Sequence, residues 1–126
     1  MPESHKKVLL THLDWNLQRL DEALKQESTD YFKSAALQRF GHTYTMAVKC
    51  IKGFGELEEC AANEEQCFEL AIESGWTENL LQWRQMVEDY QSINKKPQQD
   101  TEAIYQKLPG YQKAITNLYS QLQNLL

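Results

Sequence analysis

The side chains able to move protons, hold metals or grip phosphate are few and scattered. His5, His12 and His42 are the only histidines. His5 and His12 stand seven residues apart and share a helix face, but no cysteine or third histidine joins them. A zinc site needs three or four ligands, so a solvated pair is expected and no metal. Cys50, Cys60 and Cys67 lack C-x-x-C spacing and read as small side chains of a reducing compartment. The glycines at 41, 53, 55, 75 and 110 never form a phosphate loop, and no serine, histidine and acid grouping is readable from spacing. What remains is electrostatic. Arg39, His42, Thr43 and Lys49 flank an apolar stripe, and Arg39 and Thr43 are four apart and hence surface neighbours on a helix. Arg39 and Lys49 are the candidates for an anion or phosphate contact in a groove beside the scaffold. The plain alternative is the polar flank of a packed helix. No catalytic residue and no cofactor is expected.

Helices must position these residues. Apolar side chains recur at steps of three and four in four stretches. Leu10, Leu13, Leu17, Leu20 and Leu24 form the first. Leu37, Phe40, Tyr44, Ala47, Ile51 and Phe54 form the second. Leu80, Trp83, Val87 and Tyr90 form a shorter third. Ile104, Leu108, Tyr111, Ile115, Leu118, Leu122 and Leu125 form the fourth. That period places each set on one helical stripe, at the repeat where helices interlock at about +20°. The chain is therefore expected to be all-α: an up-and-down antiparallel four-helix bundle with a short extra helix. Long helices are expected over 6–25, 31–54, 77–93 and 101–125, and a short one over 64–73.

Local signals agree with those bounds. Gln26-Glu27-Ser28-Thr29-Asp30 ends in N-cap residue types, and Gly55 marks a helix end. Asn63-Glu64-Glu65-Gln66 reads as a capping box, and Ser74-Gly75 closes the short helix. Thr77-Glu78 is a reasonable next start. Pro97 makes a loop of Asn94 to Gln99, and Asp100 or Thr101 caps the last helix. Pro109-Gly110 interrupts that helix while its apolar repeat continues in register, so one kinked helix is expected rather than two.

The chain of 126 residues suits one domain spanning 1–126. Its net charge of −5 argues against a general nucleic-acid surface. From Glu56 to Glu78 there are eight glutamates and no lysine or arginine, which reads as a solvated end and loop, or as a docking patch for a basic partner. No apolar run approaches the ~20 residues of a membrane span, and no signal-peptide core follows the basic start, so a cytoplasmic location is expected. Trp15, Phe32, Trp76 and Tyr119 fall outside the stripes or at their edges. Large apolar side chains off the core often mark an interface, so these are the candidates for a homodimer contact.

At the second stripe the sequence resembles a known family. Asp30-Tyr31, Ala36-Leu37-Gln38-Arg39-Phe40, Thr43-Tyr44 and Ala47-Val48-Lys49 resemble the nucleotidyltransferase substrate-binding family, within the wider HEPN superfamily of helical bundles. Phe68 to Gly75 is similar to its short middle helix. Trp83, Met86, Val87 and Asp89 look like its fourth helix, and Ala103-Ile104-Tyr105 with the Leu-rich end looks like its last. The resemblance covers residues 9 to 125 and implies a dimerising bundle beside a separately encoded minimal nucleotidyltransferase, often in a toxin–antitoxin pair. It also implies a nucleotide or substrate cleft.

The chain departs from the pattern where the family's chemistry lies. The family often carries Arg-Asn on its fourth helix with a histidine soon after, and active HEPN ribonucleases use such an Arg and His. Here Tyr90-Gln91 and Asn94-Lys95 stand at those places, and Gly41 and Thr45 replace glutamates common on its second helix. Without the histidine there is no acid or base near neutral pH, and without the arginine no planar fork for a phosphate. The expectation is a non-catalytic partner. Its rivals are a degenerate HEPN-type ribonuclease and a dimeric protein-interaction module without nucleotide binding.

Overall fold

In a computed structural model, residues 5–27, 29–55, 64–93 and 101–125 are described. Their helices are α1 (His5–Leu24), α2 (Asp30–Phe54), α3 (Glu64–Glu73), α4 (Leu80–Ile93) and α5 (Thr101–Gln123). Among the described residues there is no strand. The fold is all-α, as the stripes require. Cys60, the capping box at Asn63, the 94–99 loop, Lys95 and Asp100 lie outside the described residues.

Three of the four stripes turn inward. In α4 only Trp83 of the expected stripe is buried, Leu80, Val87 and Tyr90 are half-buried, and Met86 and Ile93 complete the buried face. Leu10, Leu13, Leu17 and Leu20 of α1 are buried, as are Leu37, Phe40, Tyr44, Ala47, Ile51 and Phe54 of α2. In α5, Ile104 to Leu122 are buried at every stripe position, while Leu125 is 55% exposed beyond the helix end. These buried side chains form one continuous cluster. α1 packs on α2 and α5, α4 packs on α2 and α5, and the described residues of α1 and α4 do not pack on each other. Direction follows from partners. The Asn16 carbonyl meets the Thr43 hydroxyl and the Leu9 carbonyl meets Cys50, so α1 and α2 are antiparallel. Lys33 meets Glu102 and Phe40 stacks on Tyr111, so α2 and α5 run parallel across the bundle's diagonal. That is the up-and-down arrangement, with α3 packed against α2 and α4.

α2 touches every other helix, and its burial exceeds its stripe. Ala36, Thr43, Met46, Val48 and Cys50 are buried as well. Gly53 lets α1 approach here: a Cβ at this position would collide with the Leu9 side chain.

Ends differ from expectation in two places. Gly55 closes α2 in the right-handed region at φ −82°, so it supplies no left-handed turn. Gly75 does, at φ 77°, with Trp76 N–H donating to Ala71 and Gly75 N–H to Ile72. These two bonds make a Schellman ending for α3. α4 starts at Leu80 rather than Thr77, because Asn79 is the cap: its Oδ1 accepts from Gln82 N–H at 3.2 Å. The Thr77 hydroxyl is instead buried and accepts from the Trp83 indole N–H at 2.9 Å. Thr29 caps α2 as its residue type suggests, accepting from Phe32 N–H at 3.3 Å. Pro109 lies inside α5, which continues through it as one helix.

Candidate functional site

α2 presents its outer face between two walls. Arg39, His42, Thr45, Met46 and Lys49 recur along that face at steps of three and four. Trp15 and Asn16 of α1 stand on one side, and Tyr90 of α4 on the other. Together they line a groove of about 530 Å³, within the range of small-ligand sites.

The groove is positively charged. Its lining includes Arg39, Lys49 and His42 and no carboxylate. Among the described residues no acidic side chain pairs with Arg39 or Lys49, whereas Arg19, Lys25, Lys33, Arg84 and Lys107 all have carboxylate partners. Packing holds the walls. Trp15 is 53% exposed, and the Arg19 guanidinium lies over its ring at 5.5 Å. The Tyr90 ring packs on Tyr44 at 4.7 Å between centroids, and its phenol oxygen is 3.3 Å from Thr45 Oγ1. Thr43, grouped with the cations by sequence, does not line the groove. It is buried, with its hydroxyl 2.7 Å from the Arg39 carbonyl and 3.2 Å from that of Asn16.

On α4, Asp89 is built into a contact with α5. Asp89 is 13% exposed and accepts from the Tyr111 phenol at 2.6 Å, with Lys107 Nζ at 3.3 Å. Burial first, and then Asp89, push the Tyr111 phenol far above its ordinary value, so it remains a donor throughout the working pH range. This group ties α4 to α5. Arg84, the arginine of α4, pairs with Glu65 of α3, and α4 contains no histidine.

The structure thus brings together Arg39, Lys49 and Trp15, which the sequence had placed in two separate groups. The other off-stripe aromatics lie elsewhere. Phe32 is half-buried, edge-on to Tyr31 at 5.2 Å. Trp76 is half-buried, edge-on to Phe54 at 6.3 Å. Tyr119 is half-buried against the core, and burial, aided by the Asp14 carboxylate, pushes its phenol up. Sequence reasoning missed Asn16, Thr45, Met46 and Tyr90 as groove residues. One signal was present: after Asp30, α2 contains lysines 33, 49 and 52 and Arg39 but no acid, in a chain of net charge −5. No group of three or more metal-ligating side chains occurs among the described residues.

Comparison with known proteins adds the fold alone. No family model matches the chain, and no curated protein matches it. A crystal structure of a protein from Thermus thermophilus is similar, with a TM-score of 0.77 and 22% identity over 87% of this chain and 98% of that one. The bundle architecture is therefore shared with that protein.

Proposed function

We propose that the protein is a non-catalytic helical-bundle partner of a separately encoded minimal nucleotidyltransferase, working as a homodimer in a pair of toxin–antitoxin type. One observation carries this reading. Tyr90 and Lys95 stand where a HEPN-type ribonuclease would hold its Arg and His, and the neighbouring Asp89 is engaged by Tyr111 and Lys107, joining two helices. A general acid–base pair contributes about 10²–10⁴-fold to such a cleavage, and α4 supplies none. What the bundle offers instead is surface: an acid-free groove and the exposed Trp15 and Leu81. Tryptophan and arginine are favoured anchors in protein interfaces.

Co-expression with the product of the adjacent gene tests the reading. Co-elution with a small nucleotidyltransferase is the expected result, and light scattering of the isolated chain at micromolar concentration should give twice its mass of 14.7 kDa. A clean monomer that elutes apart from such an enzyme overturns it. The purified protein should leave single-stranded RNA and transfer RNA intact. Cleavage that persists to homogeneity and disappears on one substitution in this chain would establish the ribonuclease rival.

A further inference from the structure

The groove on α2 is opposite in sign to the chain as a whole. Arg39, His42 and Lys49 line it, no carboxylate does, and the chain has a net charge of −5. Among the described residues no acidic side chain pairs with Arg39 or Lys49, whereas Arg84 and Lys107 on other surfaces are paired. Lys52 continues the basic line three residues beyond Lys49. Cations left without partners on one helix face are set for carboxylates or other anions supplied from outside.

Between the cations the groove is apolar. Met46 lies between Arg39 and Lys49 along α2, and it is buried yet lines the groove. Trp15 is exposed beside the same stretch, since the Asn16 carbonyl next to it is 3.2 Å from the Thr43 hydroxyl. Tyr90 closes the far wall, with its ring packed on Tyr44. A thioether adapts to side chains of varied shape, and Trp, Tyr and Arg are favoured anchors of protein interfaces. An apolar centre with basic ends, laid out along a helix, suits a polypeptide segment of matching pattern.

Two other occupants fit less well. The field of a net-negative chain opposes a long polyanion more than a short segment with two or three carboxylates. A second copy could offer α3, which exposes Glu69 and Glu73. That helix already buries Cys67, Phe68 and Ala71 in its own core, so it brings acid without a large apolar side chain to seat.

We propose that the groove docks an acidic segment of another protein, with an apolar side chain against Met46 and Trp15 and carboxylates on Arg39 and Lys49. The assignment gives a chemistry to the docking reading above, and it rests on that reading only for the identity of the protein that carries the segment.

The test is selection of a random twelve-residue peptide library, displayed on phage, against the full chain at low salt. Enriched peptides are then titrated by fluorescence anisotropy. They should place Asp or Glu on both sides of a Leu, Met, Phe or Trp. Arg39→Glu and Lys49→Glu should each weaken binding about tenfold or more, because an attraction becomes a repulsion. Trp15→Ala should cost about tenfold or more. Lys25→Ala removes a cation outside the groove, paired with Asp21, and should leave binding unchanged. All four positions are exposed or half-buried, and far-ultraviolet circular dichroism checks that each variant is folded. No enrichment, enriched peptides without acid, or binding indifferent to both charge reversals overturns the proposal. So does a single-stranded oligonucleotide of equal length that outcompetes the best peptide, which assigns the groove to nucleic acid. Loss of peptide binding as the chain self-associates also overturns it, and assigns the groove to a second copy. In the co-expression assay, co-elution that survives both charge reversals overturns this assignment and leaves the docking reading standing; peptide binding without co-elution does the reverse.

Discussion

Replacing Tyr111 by Phe isolates the hydrogen bond that closes the α4–α5 contact. The ring can stay where it is, stacked on Phe40 at 5.3 Å between centroids in the core. Only the phenol oxygen is lost, and with it the 2.6 Å bond to Asp89 Oδ2. Asp89 is 13% exposed, so water replaces that donor poorly. Lys107 at 3.3 Å remains and limits the damage. A hydrogen bond to a charged acceptor contributes about 1.5–3 kcal/mol, and we expect Tyr111→Phe to cost about 2 kcal/mol. For a chain of this size, that corresponds to a fall in Tm of roughly 5–10 °C. Urea unfolding followed by circular dichroism at fixed protein concentration measures it, with Asp89→Asn and the double variant completing a cycle.

The pH dependence has a definite sign. The folded-state phenol titrates above its unfolded-state value near 10, so the folded state retains a proton that the unfolded state gives up. Its contribution is fully present below the unfolded-state value and declines as the pH rises above about 10. That alkaline decline should be shallower in Tyr111→Phe. A variant within about 0.5 kcal/mol of the parent, with additive effects in the cycle, would refute the claim that this bond joins α4 to α5.

Three further outcomes are expected. Thr77→Val keeps the shape but removes the acceptor of the buried Trp83 indole N–H, and should cost about 1–3 kcal/mol in the same unfolding assay; a neutral result would deny that bond any role in seating α4. Burial pushes the Cys50 thiol up to about 12, so in a Cys60→Ser background its labelling by a disulfide reagent at pH 8 should follow global unfolding, and prompt labelling of the native protein would contradict it. Pro109 is exposed within α5 and withholds an N–H from the Tyr105 carbonyl, so Pro109→Ala should raise stability by about 1–3 kcal/mol in urea unfolding, and a loss would show that the packing of α5 depends on the proline.

The helices were legible because their determinants are local. A 3-4 repeat requires only the rise and turn of one helix, and Thr29 needs only Phe32 three residues on to act as a cap. The α4 start was misread for the opposite reason. Thr77 and Asn79 both have capping side chains, and the choice fell to the Trp83 indole, which turns into the core and claims the Thr77 hydroxyl. No local rule contains that contact.

The sequence by itself determined four amphipathic stripes, the helical class, and the absence of an Arg-Asn and His set around α4. It also held both cations and the exposed tryptophan, without relating them. Only the tertiary structure decided that relation. Trp15 and Arg39 meet because α1 returns antiparallel along α2, and Tyr90 joins them because α4 packs on the other side of the same helix. Burial made the same kind of decision for Asp89 and Tyr111, which are 22 residues apart and bond only once α4 and α5 share a core. Helical period is written within a few residues, whereas a groove or a cross-helix bond depends on packing between segments distant along the chain. That packing arises from the burial of several stripes at once.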